Sequence, residues 1–139
     1  MKNLTKELEI ILEYNFKNQN LLKKALVHKS FNNKDNNEKL EFLGDRVLGL
    51  IISSKLLDIY PEEDEGIIDK KFANLVNKEV CASIAKTINL KKFMSLGSSY
   101  KNHNKSDLKV ISDGLEALIG AIFLDKGLEV SEKFILSCW

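Results

Sequence analysis

Apolar residues recur at intervals of three and four along most of the chain, which is the period of α-helices that pack through one face. Near the amino terminus this pattern covers two short stretches separated by a break at residues 14–18. The first stretch repeats Leu4, Leu8, Ile11 and Leu12, and the second repeats Leu21, Leu22, Ala25 and Leu26. The pattern therefore predicts two short helices at the start of the domain.

A long helix is predicted to end at about Tyr60, because Pro61 cannot continue it. A polar, asparagine-rich loop at residues 31–37 precedes this helix, and Asp35 and Glu38 have the spacing of a capping box. One predicted apolar face of the helix consists of Leu40, Leu43, Val47, Leu50 and Ile51.

The remainder of the chain also shows helical periodicity. Acidic residues 62–65 suit the first turn of a helix, and an apolar repeat from Ile68 to Ile84 continues that helix until about Asn89. A second polar loop is predicted at residues 97–106, followed by a helix at about 107–126 that ends at Gly127, and by a last helix still running at Trp139. With no competing strand pattern, the predicted fold class is all-α.

Composition narrows the class of protein. The 139 residues are 44% hydrophobic, with one proline and seven glycines, which suits a single helical domain with a buried core. No apolar stretch reaches the about 18 residues of a membrane span, and Glu7 and Glu9 interrupt the place of a signal peptide, so we expect a soluble, cytoplasmic protein without membrane contact. Cys81 and Cys138 are expected to be packing residues.

Charge is nearly balanced, with 21 basic and 20 acidic residues and a net charge of +1. A protein that holds nucleic acid through bulk charge alone is therefore not expected. The net charge does not exclude a nuclease in which an acidic centre offsets a basic surface elsewhere. Arg46 is the sole arginine, so any phosphate contacts would come mainly from lysines.

Two sets of acids lie beside apolar residues, which is unusual for a solvated helix surface. At 100° per residue, Glu38, Glu41 and Asp45 line one side of the predicted long helix. On the later helix, Asp113 and Glu116 share a face inside a run, residues 114–124, that contains no other charge. Acids buried there without partners would cost several kcal/mol.

Either cationic side chains or a metal ion could balance these acids. No lysine or arginine lies three or four residues after Glu41, Asp45, Asp113 or Glu116, so local ion pairs are not expected. Hard oxygen ligands without nearby histidine or cysteine select Mg²⁺ or Mn²⁺ rather than zinc or copper. The acids therefore predict a magnesium site, with solvated helix faces as the alternative.

The run from Asn37 to Asp45, NEKLEFLGD, resembles the signature motif of the ribonuclease III family of double-stranded RNA endonucleases. Segments at residues 14–30, 60–66, 75–77 and 112–125 are similar to other parts of the same family. The resemblance implies an all-α ribonuclease III endonuclease-domain fold over residues 1–139.

The resemblance also implies roles for particular residues. Four acids match the family's metal ligands, namely Glu41, Asp45, Asp113 and Glu116. Among them Asp45 and Glu116 are expected to be catalytic, and Glu38 matches an accessory acid. Phe42 matches an aromatic residue at the family's homodimer interface, whereas His28 is expected to be structural. Arg46 departs from the family pattern, in which many members have a small residue after the signature aspartate.

The expected activity is Mg²⁺-dependent hydrolysis of double-stranded RNA to 5′-phosphate and 3′-hydroxyl ends, with Mn²⁺ as a substitute and a role in rRNA or mRNA processing. Bound divalent ions would lower the pKa of a water and neutralise the charge that develops on the phosphate. A homodimer would cut both strands of the duplex. The family's usual carboxy-terminal double-stranded RNA-binding domain is absent from this chain, so a catalytic-domain fragment is expected, with a natural short form as the alternative.

Other classes of function stay open from the sequence. The main alternative is a non-catalytic, helical, dimeric RNA-binding module related to ribonuclease III, although such a protein would be expected to lose its metal ligands. A di-iron bundle would need a Glu-x-x-His pair on a helix, which neither His28 nor His103 supplies. A purely structural dimerisation module is the third alternative.

Overall fold

The computed structural model describes residues 4–98, 100 and 104–139, with the side chains of residues 104–106 left aside. The helices are α1 (Leu4–Leu12), α2 (Gln19–Ala25), α3 (Glu38–Ile59), α4 (Glu65–Val76), α5 (Lys78–Thr87), a 3₁₀ helix (Leu90–Phe93), α6 (Asn104–Lys126) and α7 (Leu128–Cys138). Within the described ranges no strand forms, and an isolated bridge joins Val27 to Ser95. The all-α prediction is confirmed.

Helix α6 lies at the centre of the domain and contacts α2, α3, α5 and α7. Its middle is buried on every side, and the residues that are fully excluded from solvent are Leu115, Ala117, Leu118, Ile119, Ala121 and Ile122. Burial of each large aliphatic side chain contributes about 1.5–3 kcal/mol of transfer free energy. Asp113 and Glu116 are therefore attached to a helix whose middle is fully packed.

Helices α3 and α6 cross through direct backbone contact. A Cβ atom added at Gly44 would lie 1.6 Å from the carbonyl oxygen of Glu116, and one added at Gly120 would lie 2.2 Å from the carbonyl oxygen of Leu40. Only glycine fits at such a close approach. The crossing brings the part of α3 that carries Glu41 and Asp45 against the part of α6 that carries Asp113 and Glu116.

This close crossing determines which face of α3 is buried. The buried positions are Leu40, Gly44, Val47, Leu48, Ile51, Ile52 and Leu56. The predicted apolar face was wrong at Leu50, which is 56% exposed. Because the face that approaches α6 is centred on Gly44, Leu48 and Ile52 turn inward and Leu50 turns to the surface.

The start of α3 is organised by two buried asparagines rather than by the predicted capping box. The side-chain oxygen of Asn36 accepts the Glu38 N–H at 3.0 Å, while the Asn37 amide donates to the Ala25 carbonyl at 3.1 Å. Asp35 instead lies at the surface, 3.4 Å from the Lys24 ammonium. The asparagine-rich loop is thus ordered by its own side-chain hydrogen bonds.

The helix predicted from the acidic stretch to about Asn89 is divided in two at Asn77. Asn77 adopts an extended backbone and caps both neighbours, since its Oδ1 accepts the Val80 N–H at 2.9 Å and its Nδ2 donates to the Ala73 carbonyl at 3.1 Å. A single asparagine therefore ends α4 and starts α5, although the apolar period continues through the break.

The carboxy-terminal half of the prediction is largely confirmed. Helix α6 begins three residues earlier than expected and ends before Gly127, whose φ of 90° permits the turn into α7. The indole Nε1 of Trp139 donates to the Leu75 carbonyl at 2.7 Å, which docks the end of α7 on α4. Lys101 and His103 of the predicted second loop lie outside the described residues.

The buried thiol of Cys81 has a pKa of about 12, raised mainly by its burial, and this agrees with a packing role. Cys138 is partly buried and also has a raised pKa for the same reason. Among the helices in the described ranges, none is both long and apolar enough to cross a lipid bilayer.

Candidate metal centre

Three carboxylates converge where α3 crosses α6. One oxygen from each of Glu41, Asp113 and Glu116 lies within 4.8 Å of the other two. Glu41 projects from the first turns of α3, while Asp113 and Glu116 lie one turn apart on α6, so both acids point to the same side. Sequence reasoning predicted all three, and the structure brings them together.

The electrostatics of this cluster indicate a shortage of positive charge. Glu116 is only 9% exposed, and its pKa is raised to about 9, first by burial, then by a side-chain hydrogen bond with Asp45 and by the charges of Asp45, Glu41 and Asp113. The pKa of Glu41 is also raised, first by burial and then by Asp113 and Asp45. A bound cation would relieve both effects.

Asp45 touches the cluster without belonging to the group of three. It contributes to the raised pKa of Glu116, but its side chain is 53% exposed and the Arg46 guanidinium lies 3.5 Å from its Oδ2. Glu38, the first residue of α3, is exposed and also lies outside the group. The predicted four-ligand set is therefore only partly assembled, with Asp45 beside it.

The expectation that these acids lack local ion pairs was wrong for Asp113, and also for Asp45, which pairs with the adjacent Arg46. Lys109 lies four residues before it, and the Lys109 Nζ is 2.6 Å from the Asp113 Oδ2. A helix places the residues at i−4 and i+4 equally close, so a lysine before an acid can pair with it as readily as a lysine after it. The lysine was therefore detectable from spacing alone.

His28 has partners that suit a structural role. Its Nδ1 accepts the Ser30 backbone N–H at 3.1 Å and lies 2.7 Å from the Ser30 hydroxyl, which in turn accepts the Gly97 N–H at 2.9 Å. Its pKa is lowered, first by burial and then by Lys29. The histidine joins the segment after α2 to the segment before α6, and its Nδ1 is already used as an acceptor.

Phe42 lies on the outer surface of α3 and is 59% exposed. The Arg46 guanidinium covers its ring at 3.8 Å from the centroid and donates to the Phe42 carbonyl at 3.1 Å. Other large apolar side chains exposed on α3 and α4 are Leu50, Leu57, Ile59 and Ile67. An aromatic ring on this surface suits an interface with another protein.

The donor set fits a divalent cation. Carboxylate oxygens are hard ligands, and neither histidine nor cysteine belongs to the group of three among the described residues. Such a set favours Mg²⁺ or Mn²⁺ over zinc or copper.

A family model for Ribonuclease-III-like domains matches residues 18–138. The chain belongs to this family. Ribonuclease 3 of Pelagibacter ubique is 52% identical over 139 residues, which cover all of this chain and 63% of that protein's length. The match confirms the resemblance drawn from the signature motif.

Solved structures agree with the Ribonuclease-III-like assignment. The nuclease domain of ribonuclease III from Campylobacter jejuni superposes with a TM-score of 0.90 at 42% identity, covering 99% of this chain and 94% of that chain. A second structure of that domain, which concerns structural flexibility in the region involved in dimer formation, has a TM-score of 0.91 at 41% identity over 96% of this chain and 94% of that chain. The predicted endonuclease-domain fold is therefore confirmed.

Proposed function

We propose that this chain is an endoribonuclease domain that hydrolyses double-stranded RNA with a divalent cation, Mg²⁺ or Mn²⁺. The observation that carries this proposal is the convergence of Glu41, Asp113 and Glu116 within 4.8 Å at the crossing of α3 and α6. The similarity to ribonuclease 3 over the whole chain supports it, although the chain spans only 63% of that relative's length.

In this proposal the cation is held by Glu41, Asp45, Asp113 and Glu116. A divalent ion held by these residues would lower the pKa of a water and offset negative charge on the phosphodiester, which is the chemistry that hydrolysis at neutral pH requires. Asp45 and Glu116 carry the catalytic roles, and Glu38 is an accessory acid at the start of α3.

Glu116 is the member of the cluster whose protonation is expected to affect cation binding most. At neutral pH its pKa of about 9 means that it holds a proton when the centre contains no ion. Cation binding therefore requires release of that proton, and we expect the affinity for Mg²⁺ to increase with pH up to about pH 9.

The proposed active form is a homodimer that uses the surface around Phe42. One centre per protomer cuts one strand, so two centres related by the dimer axis cut both strands. The products are 5′-phosphate and 3′-hydroxyl ends, and the duplex is recognised by its A-form shape and 2′-hydroxyl groups rather than by base sequence. Cytoplasmic processing of rRNA and mRNA precursors is the role that this activity suits.

The direct test is incubation of the purified chain with a long RNA duplex in Mg²⁺, in Mn²⁺ and in EDTA. Cleavage is expected in both cations and not in EDTA, and Glu116→Gln and Asp45→Asn are each expected to reduce the rate by at least about 100-fold. The matched control is Glu132→Gln, which changes an exposed glutamate on α7 and leaves the rate unchanged. Binding of the duplex without cleavage under every divalent condition would contradict the proposal and favour a non-catalytic RNA-binding module.

A further inference from the structure

Lys109 is the basic side chain that reaches the carboxylate cluster along α6. Its Nζ lies 2.6 Å from the Asp113 Oδ2, within the range of a charge-assisted hydrogen bond. The Asp113 side chain is 22% exposed, whereas the Lys109 side chain is 57% exposed. The acceptor is thus held in the site, and the donor reaches it from the solvent edge.

The charge of Lys109 extends beyond its hydrogen-bonded partner. The pKa of Lys109 is raised, first by the hydrogen bond to Asp113 and also by the charges of Glu41 and Glu116. In return, Lys109 opposes the increase in the pKa of Glu41. The ammonium therefore acts on all three members of the cluster.

We propose that Lys109 is a tethered counter-ion of the metal centre, which holds Asp113 when no divalent cation is bound and competes with that cation for the same carboxylate. This inference rests on the proposed function and concerns the affinity of its metal site. The competition follows from geometry, because Asp113 Oδ2 is already engaged at 2.6 Å by an ammonium group. A cation that uses this oxygen must weaken or break the ion pair.

The side chain of Lys109 is suited to such an exchange. Its long, flexible stem lets the ammonium leave Asp113 for water without any rearrangement of α6. Arg46 is less suited to the same task, since its contact with Asp45 is 3.5 Å long and both side chains are more than half exposed, so water screens it. Lys109 therefore reduces the repulsion in the metal-free centre and also weakens metal binding.

The first test measures metal affinity without RNA. Mn²⁺ is titrated calorimetrically into the wild-type chain, Lys109→Gln and Lys109→Arg. Lys109→Gln is expected to bind Mn²⁺ about 5–10-fold more tightly, the effect of removing one competing charge-assisted hydrogen bond, whereas Lys109→Arg stays close to the wild type. Lys126→Gln is the matched control, because that exposed lysine lies at the other end of α6, about 25 Å away.

The second test measures thermal stability and does not depend on activity. In EDTA, Lys109→Gln is expected to melt below the wild type and below Lys126→Gln, because Asp113 then faces Glu41 and Glu116 without its counter-ion. Saturating Mg²⁺ is expected to close this gap, since the cation replaces the missing charge.

The outcomes distinguish failure of the counter-ion role of Lys109 from failure of the proposed function. Equal or weaker Mn²⁺ binding by Lys109→Gln, with clear binding by the wild type, would overturn the counter-ion role and leave the proposed function standing. Absence of Mn²⁺ binding by the wild type would contradict the proposed function, and it would also contradict competition between Lys109 and the cation. A gap in melting temperature that persists in saturating Mg²⁺ would show that Lys109 is only a structural ion-pair partner and would overturn the inference.

Discussion

Gly44 of α3 and Glu116 of α6 are in backbone contact, so close that a Cβ atom at Gly44 would lie 1.6 Å from the Glu116 carbonyl oxygen. This contact fixes the separation of the two helices that carry the candidate metal centre. Because the Glu116 carbonyl belongs to the fully packed part of α6, it cannot yield to a new side chain. The geometry of the cluster therefore depends on a glycine that contributes no ligand.

Gly44→Ala is expected to destabilise the domain, since the methyl group must separate α3 from α6. Overpacking of this kind costs about 1–3 kcal/mol or more, which exceeds the up to about 1 kcal/mol that alanine gains over glycine within a helix. Thermal unfolding by circular dichroism measures the effect. The control is Gly66→Ala on α4, where nothing lies within 4 Å of the added Cβ. A Gly44→Ala protein as stable as the Gly66→Ala protein would contradict the close crossing.

Glu116→Gln is expected to stabilise the metal-free domain. With a folded-state pKa of about 9 against an ordinary value of 4.5, Glu116 binds a proton in the folded state that it lacks in the unfolded state. The free energy of unfolding therefore falls as the pH rises from about 4.5 to about 9 in EDTA. The free energy of unfolding of the variant does not fall in this way, so its melting temperature should exceed that of the wild type by several degrees at pH 8. For a domain of this size about 1 kcal/mol corresponds to about 4 °C.

Melting curves in EDTA between pH 5 and pH 9 test the Glu116→Gln prediction, because the difference between variant and wild type should grow with pH. Asp113→Asn serves as the comparison. Asp113 already has a cationic partner in Lys109, at 2.6 Å, so its neutralisation removes an ion pair and should give no such gain. A pH-independent difference for Glu116→Gln would show that its carboxyl group has partners other than the neighbouring acids.

Asp125→Asn is expected to destabilise the link between the end of α6 and the turn between α1 and α2. The carboxylate accepts the backbone N–H groups of Lys17 and Asn18, each at 2.8 Å, and the hydroxyl of Tyr14. Burial opposes the charged form, but these hydrogen bonds outweigh it and lower the pKa of Asp125. The stabilisation is therefore fully present at pH values above 3.8, the ordinary pKa of an aspartate. It is lost as the pH falls through the lower pKa of Asp125 in the folded state.

At pH 7 the Asp125→Asn variant should lose about 1–2 kcal/mol, measured by urea unfolding, because an amide offers one acceptor oxygen where the carboxylate offers two. Asp58→Asn, which changes an exposed aspartate on α3, is the control and should be neutral. Equal stabilities of the two variants at pH 7 would exclude a structural role of the Asp125 carboxylate.

Phe42→Ala is expected to weaken self-association by at least about 10-fold, because a large exposed aromatic side chain is the kind of residue that dominates interface energetics. Sedimentation velocity over a concentration series measures the change. The control is Ile10→Ala on α1, a residue that is 74% exposed on another helix. Double-strand cutting should fall with dimer content, and an unaltered sedimentation profile for Phe42→Ala would contradict the interface.

Much of the candidate site could be predicted from the sequence because its signals are local. Glu41, Asp113 and Glu116 were singled out by acids placed beside apolar residues and by the family motif, and the structure brings them within 4.8 Å. The Lys109–Asp113 pair is equally local, at one helical turn, although the expected absence of ion pairs rested only on the residues that follow each acid. The roles of Asp45, Glu38 and Phe42 remain predictions, with Asp45 adjacent to the cluster rather than within it.

The sequence by itself determined the all-α class, most helix ends and the identity of the acids, since helical periodicity, proline, glycine and motif spacing act over a few residues of the chain. The division of one predicted helix into α4 and α5 is a local effect of Asn77, whose side chain hydrogen-bonds residues three and four positions away. Only the tertiary structure decided which face of α3 is buried, as Leu50 shows. It also decided how close α3 lies to α6. The physical reason is that backbone contact at Gly44 and Gly120 involves residues far apart in the chain, and packing between distant segments overrides local pattern.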